Sequence, residues 1–403
     1  MRTPSWLPLL AAAWLCPAPL LAAPLTLAQA QALAAEHHPA LAAAAREVDA
    51  GDGALRQAAA RPNPAFTTQV EDLRPDQRTT TATLDIPLEL GGKRAARVAA
   101  AERARDVARA ELAARRAELA ARIAADFHAV LAAQQRVVLA RDSVALVRRM
   151  ADATARRVAA GKLSPVDEAR ARVELAQAGL DAGEAGADLD AARLALAAQL
   201  GQATPQFDTL DGDAGATPSR PAPADWLAAL DASPALAPAR REAERRRAAI
   251  AVERSKATPD LTLSIGARRA NDLGRTQAVI GFSLPLPLSD RNQGGVQEAT
   301  ARAAQADDTL LATRLALSTE LQQAGARLAH ARQSLQALQA TVLPAAEAAL
   351  DAARRGFEAG KRGLLDVLDA QRALIQARQR QLQHLAAAHQ AAAVIDRILP
   401  DTP

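Results

Sequence analysis

The sequence predicts a mainly α protein with a small β part, built from long coiled-coil helical hairpins and four short strands. Three observations carry that reading. Of the 403 residues, 49% are hydrophobic but only 2% aromatic, with no tyrosine. Alanine supplies most of the apolar count, and it combines the highest helix propensity with close backbone approach. The stretch between Gly92 and Gly161 contains neither glycine nor proline, enough for a helix of ~100 Å at ~1.5 Å per residue. Within it Ile123, Val130, Val137, Val144, Ala151 and Val158 recur every seven residues, a coiled-coil period. Finally, the chain is written twice, and a repeat at this scale fixes the architecture.

The repeat shows at matching places in the same order. HPALAAAAREVDAG at 38–51 matches SPALAPARREAERR at 233–246, and NPAF at 63–66 matches TPDL at 258–261. IPLELGGKR at 86–94 matches LPLPLSDRN at 284–292, and AGKLSPVDEARARVELAQA at 160–178 matches AGKRGLLDVLDAQRALIQA at 359–377. Each half therefore runs helix, two extended segments, long helix, tight turn, helix.

Taken in order, residues 1–23 have a secretory-signal layout: one arginine, an apolar stretch, then small residues at Ala22 and Ala23. The single cysteine, Cys16, lies inside it, so the mature chain has no disulfide; lipidation of Cys16 is the alternative reading. The first repeat spans 24–200, with a β-hairpin over 65–88 made of segments 65–72 and 79–88. There Thr79, Thr81, Thr83 and Asp85 alternate with Thr80, Ala82, Leu84 and Ile86, the two-residue period of a strand. Residues 201–225, rich in Gly, Pro and Asp, read as a linker. The second repeat spans 226–399, with a hairpin over 261–286 made of segments 261–269 and 276–286. Gly325 and Pro344 interrupt its long helix, predicting a kink or break.

Charge narrows the function. Forty-nine Lys and Arg are interleaved with 45 Asp and Glu, which reads as solvated helix surface, and no nucleic-acid-binding motif accompanies it. No run beyond the signal approaches the ~20 apolar residues of a membrane helix, so entry into a membrane requires a β-barrel. No P-loop, nucleophile elbow or paired catalytic acids are present, so neither catalysis nor a cofactor is expected. His37, His38, His128, His330, His384 and His389 lack zinc-ligand spacing and read as surface or helix-packing residues.

The signal segment, the tandem repeat of hairpins on long helices, and the Gly-turn-Asp tips together resemble the outer-membrane efflux family typified by TolC. More narrowly, ELGGKRAAR at 89–97 and LPLPLSDRNQGG at 284–295 resemble its heavy-metal, CzcC-type branch. The resemblance implies a homotrimer in the outer membrane, with 4 × 3 = 12 strands in one shared barrel and a helical tunnel reaching into the periplasm; the even strand number lies inside the bacterial range. It implies three partners: a periplasmic adaptor (membrane fusion protein), an inner-membrane pump of the resistance-nodulation-division type, and outer-membrane lipid. The implied role is an exit duct for heavy-metal cations, passively conducted. Drug or organic-compound efflux and type I secretion are alternatives, and a periplasmic adaptor or a poreless coiled coil are more remote ones. Barrels of this kind carry aromatic girdles, whereas only Phe66 and Phe282 lie in these strands.

At the tip, Asp366 and Asp369 stand three apart on one helical face. By resemblance they match the family's constriction aspartates, and Arg362 matches an arginine that holds the closed state. Spacing alone equally allows an aspartate in a first helical turn to be a cap. The first half has Asp167 equivalent to Asp366 but Arg170 opposite Asp369, so the two tips do different jobs. Only four lysines exist, and two of them sit in the turns. Gly161, Lys162 and Ser164, with Gly360, Lys361 and Gly363, are therefore read as adaptor-docking tips. Gly91, Gly92, Lys93 and Arg94, with Arg291 and Asn292, follow the strand exits and are read as marking the barrel base.

Overall fold

A computed structural model describes residues 24–220 and 226–399. Residues 1–23, which have the secretory-signal layout and include Cys16, lie outside the described residues, as does 221–225 of the linker. The first half contains α1 (Leu27–His37), α2 (Pro39–Ala59), β1 (Ala65–Glu71), β2 (Thr79–Leu88), α3 (Lys93–Ala159) and α4 (Pro165–Gln199). The second contains the short α5 (Trp226–Ala229), α6 (Ala237–Lys256), β3 (Leu261–Ala270), β4 (Arg275–Ser283), α7 (Gln293–Ala337), α8 (Leu343–Glu358) and α9 (Leu364–Ile398).

The two hairpins share one antiparallel sheet in the order β1-β2-β3-β4, so the halves meet where β2 pairs with β3. Register sorts the side chains into two faces. Phe66 lies opposite Leu84, Leu84 opposite Ile265, and Ile265 opposite Ile280; Ile86, Leu263 and Phe282 form the next row on that face. Phe66, Ile280 and Phe282 are 73%, 70% and 72% exposed and Leu84 and Ile265 are also exposed, while Ile86 and Leu263 are half-buried. The opposite face is polar: Thr67 and Ser264 both donate to the Asp85 carboxylate, at 2.7 Å and 2.5 Å, and Arg268 pairs with Glu71 at 3.8 Å. An apolar face of this size exposed on a chain is a binding or lipid surface.

β4 stops at Ser283 rather than running to 286. Pro285 and Pro287 follow, and a proline has no N–H to give to a ladder.

The α3 rod has the predicted length, but its buried seam is not a strict heptad. Ile123, Val130 and Val137 are buried, whereas Val144, Ala151 and Val158 are only half-buried and Val147, Met150 and Thr154 take over. A straight helix drifts about 20° per heptad, which moves the contact stripe in this way over such a length.

In the second half the chain stays helical through Pro344 but not regularly α: a π-turn at Leu338–Val342 lies between α7 and α8, which has the proline in its first turn, so the interruption is a local distortion rather than a break. Gly325 causes no distortion. α7 runs straight through it, and the glycine instead admits the Trp226 ring; an added Cβ would sit 2.4 Å from Cζ3. Trp226 anchors a core with Leu230, Leu236, Leu321, Leu328 and Ile395.

The equivalent core of the first half gathers Ile123, Phe127, Val130, Leu196 and Leu200, and it also includes Phe207 and Leu210. The residues read as a linker are thus pinned at their start rather than free. Leu25 donates to the Thr209 carbonyl at 3.1 Å and accepts from Asp211 at 3.0 Å, a one-bridge parallel pairing that ties the segment to the chain's beginning. Farther along, Arg220 pairs with Asp396.

Because a tryptophan ring is rigid, Gly325→Ala forces backbone movement. We predict a loss of about 1–3 kcal/mol, the usual cost of overpacking, read as a lowered unfolding midpoint relative to Ala324→Gly, which removes a methyl group instead.

Candidate functional site

Both turns are built alike. α3 ends with Gly161 at φ +69°, whose N–H donates to Val158 at 2.9 Å while Lys162 donates to Arg157 at 2.8 Å. α8 ends with Gly360 at φ +70°, donating to Phe357 at 3.0 Å, and Lys361 donates to Gly356 at 2.8 Å. This pair of bonds past a left-handed glycine is a Schellman motif, so each glycine is required by the turn itself. Lys162 and Lys361 are left exposed at the point of each tip.

The returning helices are capped differently. Ser164 receives the Val166 N–H at 3.2 Å, and its own N–H donates to Asp167 at 3.3 Å, completing a capping box. Gly363 has no side chain to offer, so α9 keeps half a box: the Gly363 N–H donates to Asp366 at 3.1 Å. Asp366 is therefore a cap, the plainer of the two sequence readings. Asp369 is not. Its side chain is 72% exposed, 3.7 Å from Arg372, whose guanidinium also pairs with Glu174 on α4. Arg362 covers Gly356, with its Cγ 2.5 Å from where a Cβ would stand, so Arg362 folds back over the end of α8, and neither aspartate is its partner among the described contacts.

The two tips are fastened to each other by a residue that the sequence reading missed. Arg157 reaches from α3 to the last carbonyls of α8, donating to Phe357 at 2.9 Å and Glu358 at 3.4 Å, with its guanidinium 4.2 Å over the Phe357 ring. A cation there also faces the negative end of a helix dipole. Beneath it Met150, Ala171, Phe357, Leu364, Val367 and Leu368 form a separate small core. The signal was legible in principle: under the 199-residue offset the partner of Arg157 is Gly356, a long side chain against none. The first repeat spends the position on a bridge, and the second leaves it open for Arg362.

The strand-exit residues stand at the far end of α3. Gly91 and Gly92 both have positive φ, and Lys93 pairs with Asp260 at 2.8 Å, joining the first repeat's helix to the second repeat's hairpin. Arg94 donates to the Ala59 carbonyl at 2.7 Å, closing the end of α2. Nearby, Arg97 pairs with Glu89 and holds that carboxyl below its usual range. In the second repeat Asn292, at φ +57°, caps α7 and donates to Glu253 at 2.8 Å, while Arg291 reaches the Pro287 carbonyl at 3.3 Å. The left-handed cap residues are Gly92 and Asn292, so this loop is two residues longer than motif alignment implied.

Four of the six histidines meet in ring pairs. His128 stacks on His389 at 3.4 Å and 12°, and His330 meets His384 edge-on at 6.1 Å. Burial pushes His128 down to about 4 and lowers His389 as well, so both rings are neutral near pH 7. Among the described residues no three His, Cys, Asp or Glu come together as a metal site, and no helix is long and apolar enough to cross a membrane.

The profile of the outer membrane efflux protein family matches this chain twice, over residues 30–202 and 228–399. The chain belongs to that family. It is 51% identical to the cobalt-zinc-cadmium resistance protein CzcC of Cupriavidus metallidurans, over 94% of this chain and 90% of that one. It is 32% identical to the nickel and cobalt resistance protein CnrC of the same organism, over 79% and 78%. Its fold matches a crystal structure of CusC with a TM-score of 0.77 at 18% identity, covering 92% and 91% of the two chains. The outer membrane protein VceC of Vibrio cholerae matches with a TM-score of 0.75 at 22% identity, covering 92% and 95%. The efflux protein is accordingly an outer-membrane one.

Removing the Arg157 bridge tests how the tips are held. Arg157→Ala should cost about 1–3 kcal/mol through the lost charged hydrogen bonds and ring contact. It should accelerate tryptic cleavage after Lys162 and Lys361 while leaving cleavage near the strand exits unchanged.

Proposed function

We propose that three copies of the chain close one barrel and one tunnel, forming the exit duct of a tripartite pump that exports heavy-metal cations. The sheet supports it most strongly. Four strands cannot close on themselves, β1 and β4 each end the sheet with an edge, and an open edge has no place in lipid. Three chains give 4 × 3 = 12 strands. At ~3.3 Å per residue and ~45° tilt, the ten residues of β2 span about 23 Å of membrane thickness, close to the ~25 Å apolar band of such barrels.

The helices carry a second sign of the same assembly. On α4, Ala171, Ala178 and Ala185 are buried, whereas Val166, Val173, Leu180 and Leu194 follow a heptad spacing and are 52–69% exposed. Two heptad stripes on one helix call for a second helical neighbour, and a second copy supplies it.

The conduction mechanism is passive. Threefold symmetry turns Asp366 and Asp369 into a ring of 2 × 3 = 6 carboxylates at the periplasmic tip. Two such charges about 6 Å apart repel by about 3 kcal/mol at an effective dielectric of about 20, so the ring attracts cations and relaxes when they enter. Asp369 carries most of this role, since Asp366 gives one oxygen to its cap, and Arg362 steadies the turn that holds both. The exposed Lys162 and Lys361 tips are where a periplasmic adaptor engages, which couples the duct to an inner-membrane pump. The cargo assignment follows the relatives, whose names specify resistance to cobalt, zinc, cadmium and nickel.

Reconstitution in a planar bilayer tests the reading. Asparagine still accepts the Gly363 N–H, so D366N/D369N should keep the fold. Single-channel conductance should rise and the preference for cations over anions should fall. An unchanged current removes the gate assignment, and no channel current from either protein removes the duct.

A further inference from the structure

The apolar face of the sheet does not stay apolar along its whole length. Outward from the Phe66 row, toward the hairpin turns, register places Thr68, Ala82, Ala267 and Ala278 in one row and Val70, Thr80, Arg269 and Thr276 in the last. Arg269 is the one charged side chain in any row of that face from Leu88 and Leu261 outward. It is exposed, and so is Arg78, two residues beyond Thr80 on the side of the turn. The Asn271 N–H donates to the Arg78 carbonyl at 3.1 Å, so the pairing of β2 with β3 runs on past Thr79. Arg78 therefore lies diagonally across from Arg269, at the ~7–8 Å of such cross-strand neighbours.

Neither arginine has a carboxylate partner among the described residues. The acids nearby serve other groups: Glu71 takes Arg268 on the polar face at 3.8 Å and Asp72 takes Arg74 at 2.6 Å, while Asp76 and Asp272 lie in the turns and pair with neither. Two unpaired cations on diagonal positions repel, and an anion held between them relieves the repulsion.

Position along the strand says which anion. Arg269 stands eight residues from Leu261, about 26 Å along β3 at ~3.3 Å per residue and about 19 Å across a membrane at ~45° tilt. An apolar band of ~25 Å that begins at the Leu261 row therefore ends about 6 Å beyond Arg269. An extended arginine covers that step, with its stem in hydrocarbon and its guanidinium among headgroups. The helices lie at the other end of the sheet, on the periplasmic side, so these headgroups belong to the outer leaflet. Phosphate suits the pair: each guanidinium fork matches two phosphate oxygens, and the double charge of a phosphomonoester balances both cations.

We propose that Arg78 and Arg269 clamp the phosphate of one outer-leaflet lipid headgroup per chain, at a level where these strands carry no aromatic residue. The clamp rests on the reading of the sheet as part of a barrel wall in lipid.

Native mass spectrometry of the full chain in a neutral detergent tests it, with phosphatidate as the phosphomonoester lipid and phosphatidylcholine as the comparison. Phosphatidate should bind saturably, up to three per trimer, and more tightly than phosphatidylcholine. Arg78→Gln and Arg269→Gln should each weaken it about fivefold, the scale of one basic side chain at an anionic lipid. Arg268→Gln, on the polar face of the same strand, should leave it unchanged, and inorganic phosphate at the same concentration should not displace it. A trimer that shows no preference for phosphatidate, or that keeps the preference in both variants, overturns the clamp alone. An equal loss in Arg268→Gln, or displacement by inorganic phosphate, overturns it too, the latter by pointing to a site for the free ion. Monomers only, in the same spectra, overturn the barrel reading and the clamp with it.

Discussion

A four-stranded antiparallel sheet with one uncovered apolar face and two open edges is the constraint on which the rest of this molecule depends. The face needs lipid and the edges need strands, and one chain provides neither. Each of its hairpins also leaves a long helix behind it, because the strand exits are where α3 and α7 begin. Lys93 with Asp260, and Asn292 with Glu253, fix those exits to the body of the protein, so strand tilt and helix direction are set together.

The helical part obeys a different economy. With alanine as the common interior residue, helices approach closely but each contact buries little area. Stability is therefore spread along ~100 Å of rod and concentrated in three small cores where larger side chains gather. The tip core is the smallest, and the Arg157 bridge spans its outer end. This leaves the tips as the part of the molecule held by the fewest buried side chains among the three cores.

Much of this was readable from the residues. β2 falls where the threonine alternation put it, because each residue of the pattern lies on either the apolar or the polar face of the sheet. The α3 rod follows from the lack of any breaker between Gly92 and Gly161. What escaped was long-range. Gly325 reads as a helix interruption until Trp226, 99 positions earlier, is seen against it. Arg157 is one arginine among many until its reach across to α8 is known. Asp366 and Asp369 look equivalent in sequence, yet only the first meets a backbone N–H.

The central claim is that β1 of one chain pairs with β4 of the next. Cysteine pairs test it directly, since Cys16 lies in the signal-like segment and the remaining sequence has no other cysteine. Gln69→Cys on β1 is combined in turn with Gln277→Cys, Val279→Cys and Gly281→Cys on β4, and membranes are oxidised before denaturing electrophoresis. At least one pair should give a covalent trimer that collapses to monomer on reduction. Monomer alone across the whole series, from protein that still fractionates with the outer membrane, would contradict the account.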